Sequence, residues 1–474
     1  MTEGKYQIVC LGGGYVGGPS MTVLAEMCPE CDITVIDNDV KRVEAWNSSN
    51  LPIHEEKLQG ILEKVINKNL HFTTELEGPL SNADIIFIAV STPTKLVGEG
   101  AGRAILIDHV ESVARSIGQY AKKSAIVVEK STVPIGVSRS IKTVLNANSE
   151  HNVEFQILSN PEFMAEGSAV DDCHNPDRIL IGHEDSEEGR QAANVLRTLY
   201  SKWVDPSKIM LTDVWSAELT KLTVSAFLAQ RISSMNAMSA ICERTGANVN
   251  EVARACGADS RIGPKFLKAS VGFGGSSLRK DVLSLVYIAE SLGLHEVAKY
   301  WESVASMNSY QIERFAKDIV HTLFDTLLNK KLAIFGFAYK AQTDDTRDTP
   351  AIKVCDLLLE EGAVLNIFDT MVPREQIYHE LNANNPKLVT EELFRKKVNI
   401  FNTDAYEATR DAHAIIILND SPEFCSLDYK KIHAEMMKPA FIFDGRNLLN
   451  RDILRKIGFC THGIGVTPDP LESE

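Results

Sequence analysis

Near the N-terminus, Gln7–Leu11 forms a short apolar run, and Gly12-Gly13-Gly14-Tyr15-Val16-Gly17 follows at once. This is a G-x-G-x-x-G hexad placed where a strand gives way to a helix that runs to about Met27. A second strand, 33–36, ends at Asp37, twenty positions after Gly17. Strand, glycine turn, helix, strand and acid in that register commit the first part of the chain to a βαβ unit. The glycines let a pyrophosphate reach the helix N-terminus, and the Asp37 carboxylate accepts from ribose hydroxyls. An acid there favours NAD over NADP, because it repels a 2′-phosphate; Arg42 close by keeps the phosphorylated form open.

Further apolar runs at 84–90, 125–129, 155–158 and 178–181 alternate with helical patterns. Alternation of this kind predicts a parallel, doubly wound sheet through about Leu211. Ligands of such sheets bind beyond the carboxyl ends of the strands. Three strand ends here are polar: Ser91-Thr92-Pro93-Thr94, Lys130-Ser131-Thr132-Val133-Pro134 and Ser159-Asn160-Pro161-Glu162-Phe163. Singly, each is ordinary turn chemistry; together they outline the rim of a site. Glu162 and Glu166, one helical turn apart, are both expected to face it, either as catalytic acids or as exposed helix-start carboxylates.

From an N-cap at Thr212 or Asp213 a helical pattern runs for more than thirty residues to Arg244 and stops at Gly246. Helices of that length often serve as subunit interfaces, which predicts a dimer built around it. Lys221 and Ser225 share one of its faces, although most lysines are solvated surface charges. Helices at 249–255, 281–291 and 295–320 follow. Between two of them lies VGFGGSSLRKD, 271–281, whose Gly272, Gly274 and Gly275 allow close backbone approach to a ligand. The alternative is a tight connection before a helix starting near Asp281. Strands at 331–335, 364–368, 412–418 and 440–443 then make a second, smaller Rossmann-like unit with one glycine, Gly336, at its turn. Lys340, Arg347 and Arg446 offer local positive charge for phosphates. The expected fold class is α/β: two Rossmann-like doubly wound parallel sheets joined by a long-helix middle domain, divided as 1–211, 212–329 and 330–474.

A chain of 474 residues suits such a multi-domain reading. The formal net charge of −15 argues against a non-specific nucleic-acid binder but not against a small phosphorylated ligand. Of nine cysteines, only Cys28 and Cys31 form a C-x-x-C; it stands alone at a helix end and reads as structural. No zinc-type spacing is present, so no metal is expected. No signal-peptide core and no apolar run of membrane-spanning length appear, which predicts a cytoplasmic protein with no membrane partner.

Taken together, these residues resemble the UDP-glucose 6-dehydrogenase branch of the UDP-glucose/GDP-mannose dehydrogenase family, in its animal type, over nearly the whole chain. The matching stretches are GGGYVGGP, STPTK, EKSTVP, LSNPEFMAEG, NPDRILIG, SAELTKL, AFLAQRISS, RIGPKFLKASVGFGGS, IFGFAYK, DTRDTP and FDGR. Arg261 with KFLKASVGFGGS points to the UDP-glucose branch rather than the GDP-mannose one. The resemblance implies oxidation of the C6 alcohol of UDP-glucose to a carboxylate by two NAD molecules. It also implies a homodimer core, commonly assembled into a hexamer.

Carried onto this chain, the resemblance gives Lys221, a water and Asp281 the proton of the first oxidation. A cysteine after the glycine loop captures the aldehyde, a second NAD oxidises the adduct to a thioester, and water with Glu162 hydrolyses it; Thr132 joins the catalytic set. The cofactor falls to Gly12, Gly14, Tyr15, Val16, Gly17, Asp37, Arg42, Ser91, Thr92, Thr132, Glu166, Lys280 and Arg347. The UDP-sugar falls to Glu162, Phe163, Met164, Ala165, Lys221, Ser225, Arg261, Phe266, Lys268, Gly274, Tyr339, Lys340 and Arg446.

The chain departs from the family pattern at four places. Ser277 stands at the cysteine position, Ser225 replaces an asparagine, Leu278-Arg279 replaces Phe-Gln, and Leu106 replaces an aspartate. A serine hydroxyl is much harder to deprotonate than a thiol. The expectation is a preserved NAD fold and UDP-sugar pocket with the two-step oxidation impaired. An active dehydrogenase, with Ser277 a weak substitute or the aldehyde hydrate oxidised directly, stands against a silent paralogue that binds both ligands and regulates an active subunit in a hetero-oligomer. A dehydrogenase for another UDP-sugar, through Ser225 and Leu278, is the third reading.

Overall fold

Aliphatic runs buried on alternate faces build two parallel sheets, because a strand covered on both sides needs apolar residues at every position. The computed structural model describes residues 6–149, 153–384 and 391–467. Its contacts divide the chain into two compact units, 1–224 and 225–474.

In the first unit the strands are β1 (Gln7–Leu11), β2 (Asp32–Ile36), β3 (Leu70–Thr73), β4 (Ile85–Ile88), β5 (Ala125–Glu129), β6 (Phe155–Ser159), β7 (Ile179–His183) and β8 (Ile209–Asp213). Among the described residues their order is β3-β2-β1-β4-β5-β6-β7-β8. Ile8 and Cys10 of β1 join one buried cluster and Val9 and Leu11 the other, the period of two that puts neighbouring side chains on opposite faces. Helix α1 (Gly17–Met27) lies on the first face and α2 (Val137–Asn148) on the second. The order reverses between β1 and β4, the switch point where a ligand crevice opens.

The sheet is parallel except at one seam. β6 pairs with β7 antiparallel, Leu158 opposite His183 and Ser159 opposite Gly182. The connection between them carries only a six-residue helix, Ala169–His174, and returns the chain into β7 at the end where β6 leaves off. The whole 160–178 stretch therefore stays at the carboxyl edge. Residues 160–167 are not helical, so Glu162 and Glu166 do not share a helix face as the spacing predicted. The short strands β3 and β8 were not anticipated.

Helix α3 (Val214–Thr245) is 32 residues long. Asp213 caps it, accepting from Ser216 N at 2.9 Å and Ser216 Oγ at 2.6 Å. Gly246, at φ +80°, ends it.

The second unit contains α4 (Val249–Gly257), α5 (Leu278–Ser291), α6 (His295–Thr322) and α7 (Pro350–Glu360). Its strands are β9 (Lys331–Phe335), β10 (Val364–Phe368), β11 (Val398–Phe401), β12 (Ala414–Ile417), β13 (Phe441–Asp444) and β14 (Cys460–Gly463), in the order β11-β10-β9-β12-β13-β14. Every pairing is parallel. β11 and β14, at the two edges, complete the four strands expected from sequence. Helix α5 begins at Leu278, three residues earlier than the spacing predicted, so Ser277 is its N-cap.

Candidate active site

At the switch point of the first unit, the turn after β1 is locked by contacts only glycine permits. Gly12 has φ +109°, and a Cβ there would sit 2.3 Å from Ala89 O; a Cβ at Gly17 would sit 1.9 Å from Gly12 O. Around Gly14 nothing lies within 4 Å of an added Cβ, so that glycine faces open space. Val16 is the N-cap of α1, and the Tyr15 hydroxyl donates to His54 O at 3.1 Å. Asp37, buried at the end of β2, accepts the Gly13 N–H at 2.8 Å and the Asp39 N–H at 2.9 Å. Arg42 Nη1 lies 3.1 Å from each Asp37 oxygen. A carboxylate set against an open glycine turn is what the ribose and pyrophosphate of NAD require, and these residues fit it.

Polar ends of three neighbouring strands complete this rim. The Thr92 hydroxyl donates to Thr132 O at 2.8 Å, joining the loops after β4 and β5. Ser91 Oγ lies 3.0 Å from His109 Nδ1. Lys130, buried after β5, places its ammonium 2.6 Å from Glu162 Oε2 and 3.3 Å from Asn160 Oδ1. Asn160 also accepts from the Tyr200 hydroxyl at 2.7 Å and donates to Leu180 O at 2.8 Å. The other oxygen of Glu162 accepts the Phe163 and Met164 N–H groups at 2.7 and 3.1 Å. Burial alone would raise the Glu162 pKa, but the adjacent Lys130 charge and these donors hold it below its ordinary value.

Phe163 is covered by two cations. Arg178 lies 3.8 Å from its ring centroid and the Lys221 ammonium 5.5 Å from it. Lys221 is thus held beside the carboxylate rim rather than out in solvent. Met164 Sδ lies 3.1 Å from Cys173 Sγ; the exposed Ala165 donates its N–H to Asp172, and Glu166 is half-buried. Lys130 and Asn160 were read only as parts of polar strand ends, and Tyr200 and Arg178 were not singled out. Lys130 directly after a strand buried to its end was the available signal, since a lysine there needs a partner.

In the second unit the glycine loop is clasped by buried amides. Asn236 Oδ1 accepts Ser270 N at 2.9 Å, Gln311 Nε2 donates to Ser270 O at 2.8 Å, and Asn308 bonds both Phe273 N and Phe273 O, at 2.9 and 3.0 Å. A Cβ at Gly274 would meet Asp348 O at 2.5 Å, and one at Gly275 (φ +91°) the Tyr339 ring at 2.9 Å. Protein packing therefore already accounts for these two glycines, where the sequence suggested approach to a ligand. Gly275 N donates to Arg347 O at 2.9 Å, so Gly274, Tyr339 and Arg347 come together here. Ser277 Oγ lies 3.5 Å from Ser276 Oγ and makes no capping bond. Asp281 is fully buried, its N–H donating to Ser277 O at 2.8 Å; Lys280 is half-buried.

The cations of this unit are partly committed. Arg347 grips Asp345 through Nε and Nη2, and Arg261 grips Asp259 in the same way. Arg446 lies 3.4 Å from Asp420, and the Lys340 ammonium 5.6 Å from the Tyr339 ring centroid. Phe266 (φ +62°) and Lys268 are exposed, and Ser225 is buried. Asp369, at the end of β10, spends one oxygen on Phe337 and Ala338 N–H and the other on Met371 and Val372 N–H. It occupies the place that Asp37 holds in the first unit, each of its oxygens taking two backbone N–H groups where each Asp37 oxygen takes one.

Family comparison decides between a generic dinucleotide fold and a particular one. The NAD binding domain of the UDP-glucose/GDP-mannose dehydrogenase family matches residues 6–204, its central domain 215–310 and its UDP binding domain 333–451. The chain belongs to the UDP-glucose/GDP-mannose dehydrogenase family. It is 51% identical over 471 residues to UDP-glucose 6-dehydrogenase 1 of Glycine max, covering 98% of each chain. It is 50% identical over 459 residues to UDP-glucose 6-dehydrogenase of Drosophila melanogaster, covering 97% of this chain and 96% of that one. Plant and animal relatives are thus equally similar to it. A UDP-glucose dehydrogenase structure from Pyrobaculum islandicum superposes with a TM-score of 0.83 at 27% identity, covering 98% of this chain and 99% of that one. As a member of this NAD-dependent dehydrogenase family the chain is an enzyme, and NAD is its cofactor. Among the described residues, no group of side chains could hold a metal ion, and no helix is long and apolar enough to cross a membrane.

Proposed function

We propose that the chain oxidises the C6 alcohol of UDP-glucose to the carboxylate of UDP-glucuronate, with NAD accepting a hydride in each of two steps. The sum is R–CH2OH + 2 NAD+ + H2O → R–COO− + 2 NADH + 3 H+. The observation that carries this reading is the buried Lys130–Glu162 pair beside Lys221 at the carboxyl ends of β5 and β6, next to the glycine turn. A carboxylate kept ionised at neutral pH is suited to assist water, and a lysine held over Phe163 is suited to take or stabilise a proton at the reacting oxygen. The family pattern also assigns Asp281 to the proton step, and Ser277 stands where that pattern has its thiol nucleophile. The remaining candidate contacts follow the family pattern, as do the three domains 1–211, 212–329 and 330–474 and a cytoplasmic setting.

Serine at position 277 favours a second reading. A hydroxyl supplies little nucleophile at neutral pH, so the aldehyde stage is slowed, and the chain then acts as a partner that binds both ligands and regulates an active paralogue. The long α3 suits either case: Phe227, Met238 and Ile241 along it are 53%, 41% and 55% exposed, an apolar stripe fit for a dimer seam within a homo- or hetero-oligomer, the hexamer included.

The deciding experiment counts NADH released per UDP-glucose consumed by the purified protein. Two NADH per sugar support the full dehydrogenase. Binding of UDP-glucose without turnover supports the regulatory paralogue, and a single burst of NADH with retained aldehyde places the block at Ser277.

A further inference from the structure

Glu129 ends β5 and is 1% exposed. Its Oε1 accepts the Ser131 N–H at 2.7 Å, while Oε2 is buried with no hydrogen-bond partner. Lys130, next in the chain, gives its ammonium to Glu162 instead. Burial, opposed by the Ser131 N–H and reinforced by the charge of Glu218, pushes the Glu129 pKa up to about 8.

Glu218 comes from α3 and is itself buried. Its two oxygens accept Gly136 N at 2.5 Å and Ser138 N at 2.8 Å, closing the N-terminus of α2. Two carboxyl groups therefore bracket the 131–138 stretch, Glu129 holding its first N–H and Glu218 its last. Thr132 lies between them, tied through its carbonyl to Thr92. The other groups turned toward this spot are neutral: Ser131 Oγ donates to Ile88 O of β4, Asn160 N of the β6 end donates to Glu129 O, and Ser138 Oγ of α2 is buried.

We propose that Glu129 is a positioning residue acting as a neutral carboxylic acid: with its proton on, it holds the 131–138 turn and Thr132 in register, and losing that proton sets two carboxylates against each other across the turn and releases it. Like charges brought together in a buried site cannot both ionise cheaply, so one of the pair keeps its proton. This inference rests on the reading of the 131–134 loop as part of the NAD rim.

The test is NADH binding by the full chain, followed by fluorescence from about pH 6 to about pH 9, for the wild type and Glu129→Gln. The glutamine keeps the shape and cannot ionise. The wild-type Kd is expected to rise about tenfold per pH unit above a point near 8, as for a protein whose competent fraction falls with the proton, while the variant stays flat. Thermal unfolding gives a readout that does not depend on the cofactor. A carboxyl whose folded pKa lies above its unfolded value keeps its proton longer in the folded protein, so stability falls as pH rises from about 4.5 to about 8. Glu129→Gln should therefore melt with the wild type near pH 4.5 and above it at pH 9. Parallel pH profiles for the two proteins, in binding and in melting, overturn the proposal. If neither protein binds NADH at any pH, the cofactor reading of the rim falls, and the melting series alone decides whether Glu129 is held neutral.

Discussion

The Lys130 ammonium and Glu162 Oε2 are 2.6 Å apart, the lysine side chain 4% exposed and the glutamate 19%. Their back-up partners differ. Without Lys130, Glu162 still accepts two backbone N–H groups; without Glu162, the ammonium is left with the uncharged Asn160 Oδ1 and the neighbouring Tyr200 hydroxyl. Removing one member of a buried pair costs about 3–5 kcal/mol, and Glu162→Ala should sit at the upper end of that range and Lys130→Met at the lower. Urea unfolding of both variants measures this, and equal losses would mean the backbone donors contribute nothing.

The same pair sets an acid limit. Although burial works the other way, Lys130 and the backbone donors leave the Glu162 pKa below its ordinary value of 4.5, so its contribution is present above that value and lost as pH falls through the lowered one. Melting temperatures from about pH 6 down to about pH 3 should fall less steeply in Glu162→Gln than in the wild type.

Gly14 and Gly17 separate cofactor binding from folding. An added methyl at Gly14 meets nothing, whereas one at Gly17 overlaps Gly12 O. Gly14→Ala should melt within a degree or two of the wild type but bind NAD at least about tenfold more weakly, a loss of about 1.4 kcal/mol. Gly17→Ala should destabilise the protein by roughly 1–3 kcal/mol, as overpacking does. Calorimetric NAD titration beside thermal melts reads both, and unchanged NAD affinity in Gly14→Ala would remove the pyrophosphate from that turn.

Much of this was legible in the sequence, and what was not has physical causes. The hexad with Asp37 placed β1, α1 and β2 almost to the residue, because Gly12 and Gly17 each answer a backbone contact and the acid closes the turn through Gly13 N–H. The strands β3 and β11 escaped notice because edge strands of four residues carry too little apolar pattern. The Glu162–Glu166 spacing suggested a helix, yet Glu162 bonds its own following N–H groups and the chain stays non-helical until Ala169–His174. Around Gly274 and Gly275 the sequence signalled close approach correctly but could not say that Tyr339, more than sixty residues on, was what approaches.

The amides that clasp the second unit's loop give a further stability prediction. Asn308 is the sole side chain bonding both Phe273 N–H and Phe273 O among the described residues, and Asn236 takes the Ser270 N–H. Asn308→Ala should cost about 1–3 kcal/mol per buried group left unpaired. Asn308→Asp, which keeps the acceptor and loses the donor, should recover part of that loss. Denaturant unfolding of the pair distinguishes hydrogen bonding from simple packing, which predicts no recovery.

Ser277 is the N-cap of α5, with φ −112° and a side chain that makes no capping bond, so its Oγ is not spent on the helix. A thiol placed there would sit at a helix N-terminus, where the dipole stabilises a thiolate and lowers its pKa. Ser277→Cys should therefore fold as the wild type does while gaining a nucleophile the serine lacks at neutral pH. If the aldehyde stage limits the wild type, the variant should raise kcat for UDP-glucose roughly tenfold or more, at least about 1.4 kcal/mol off the barrier. It should also bring NADH release to two per sugar and become sensitive to iodoacetamide, with UDP-glucose protecting. Rapid-quench and steady-state kinetics on both proteins make the comparison. A variant no faster than the wild type, yet alkylated at position 277, would show that the thiol is present and reactive but not where the aldehyde forms, and would move the search for the block to Ser225, Leu278 and Arg279.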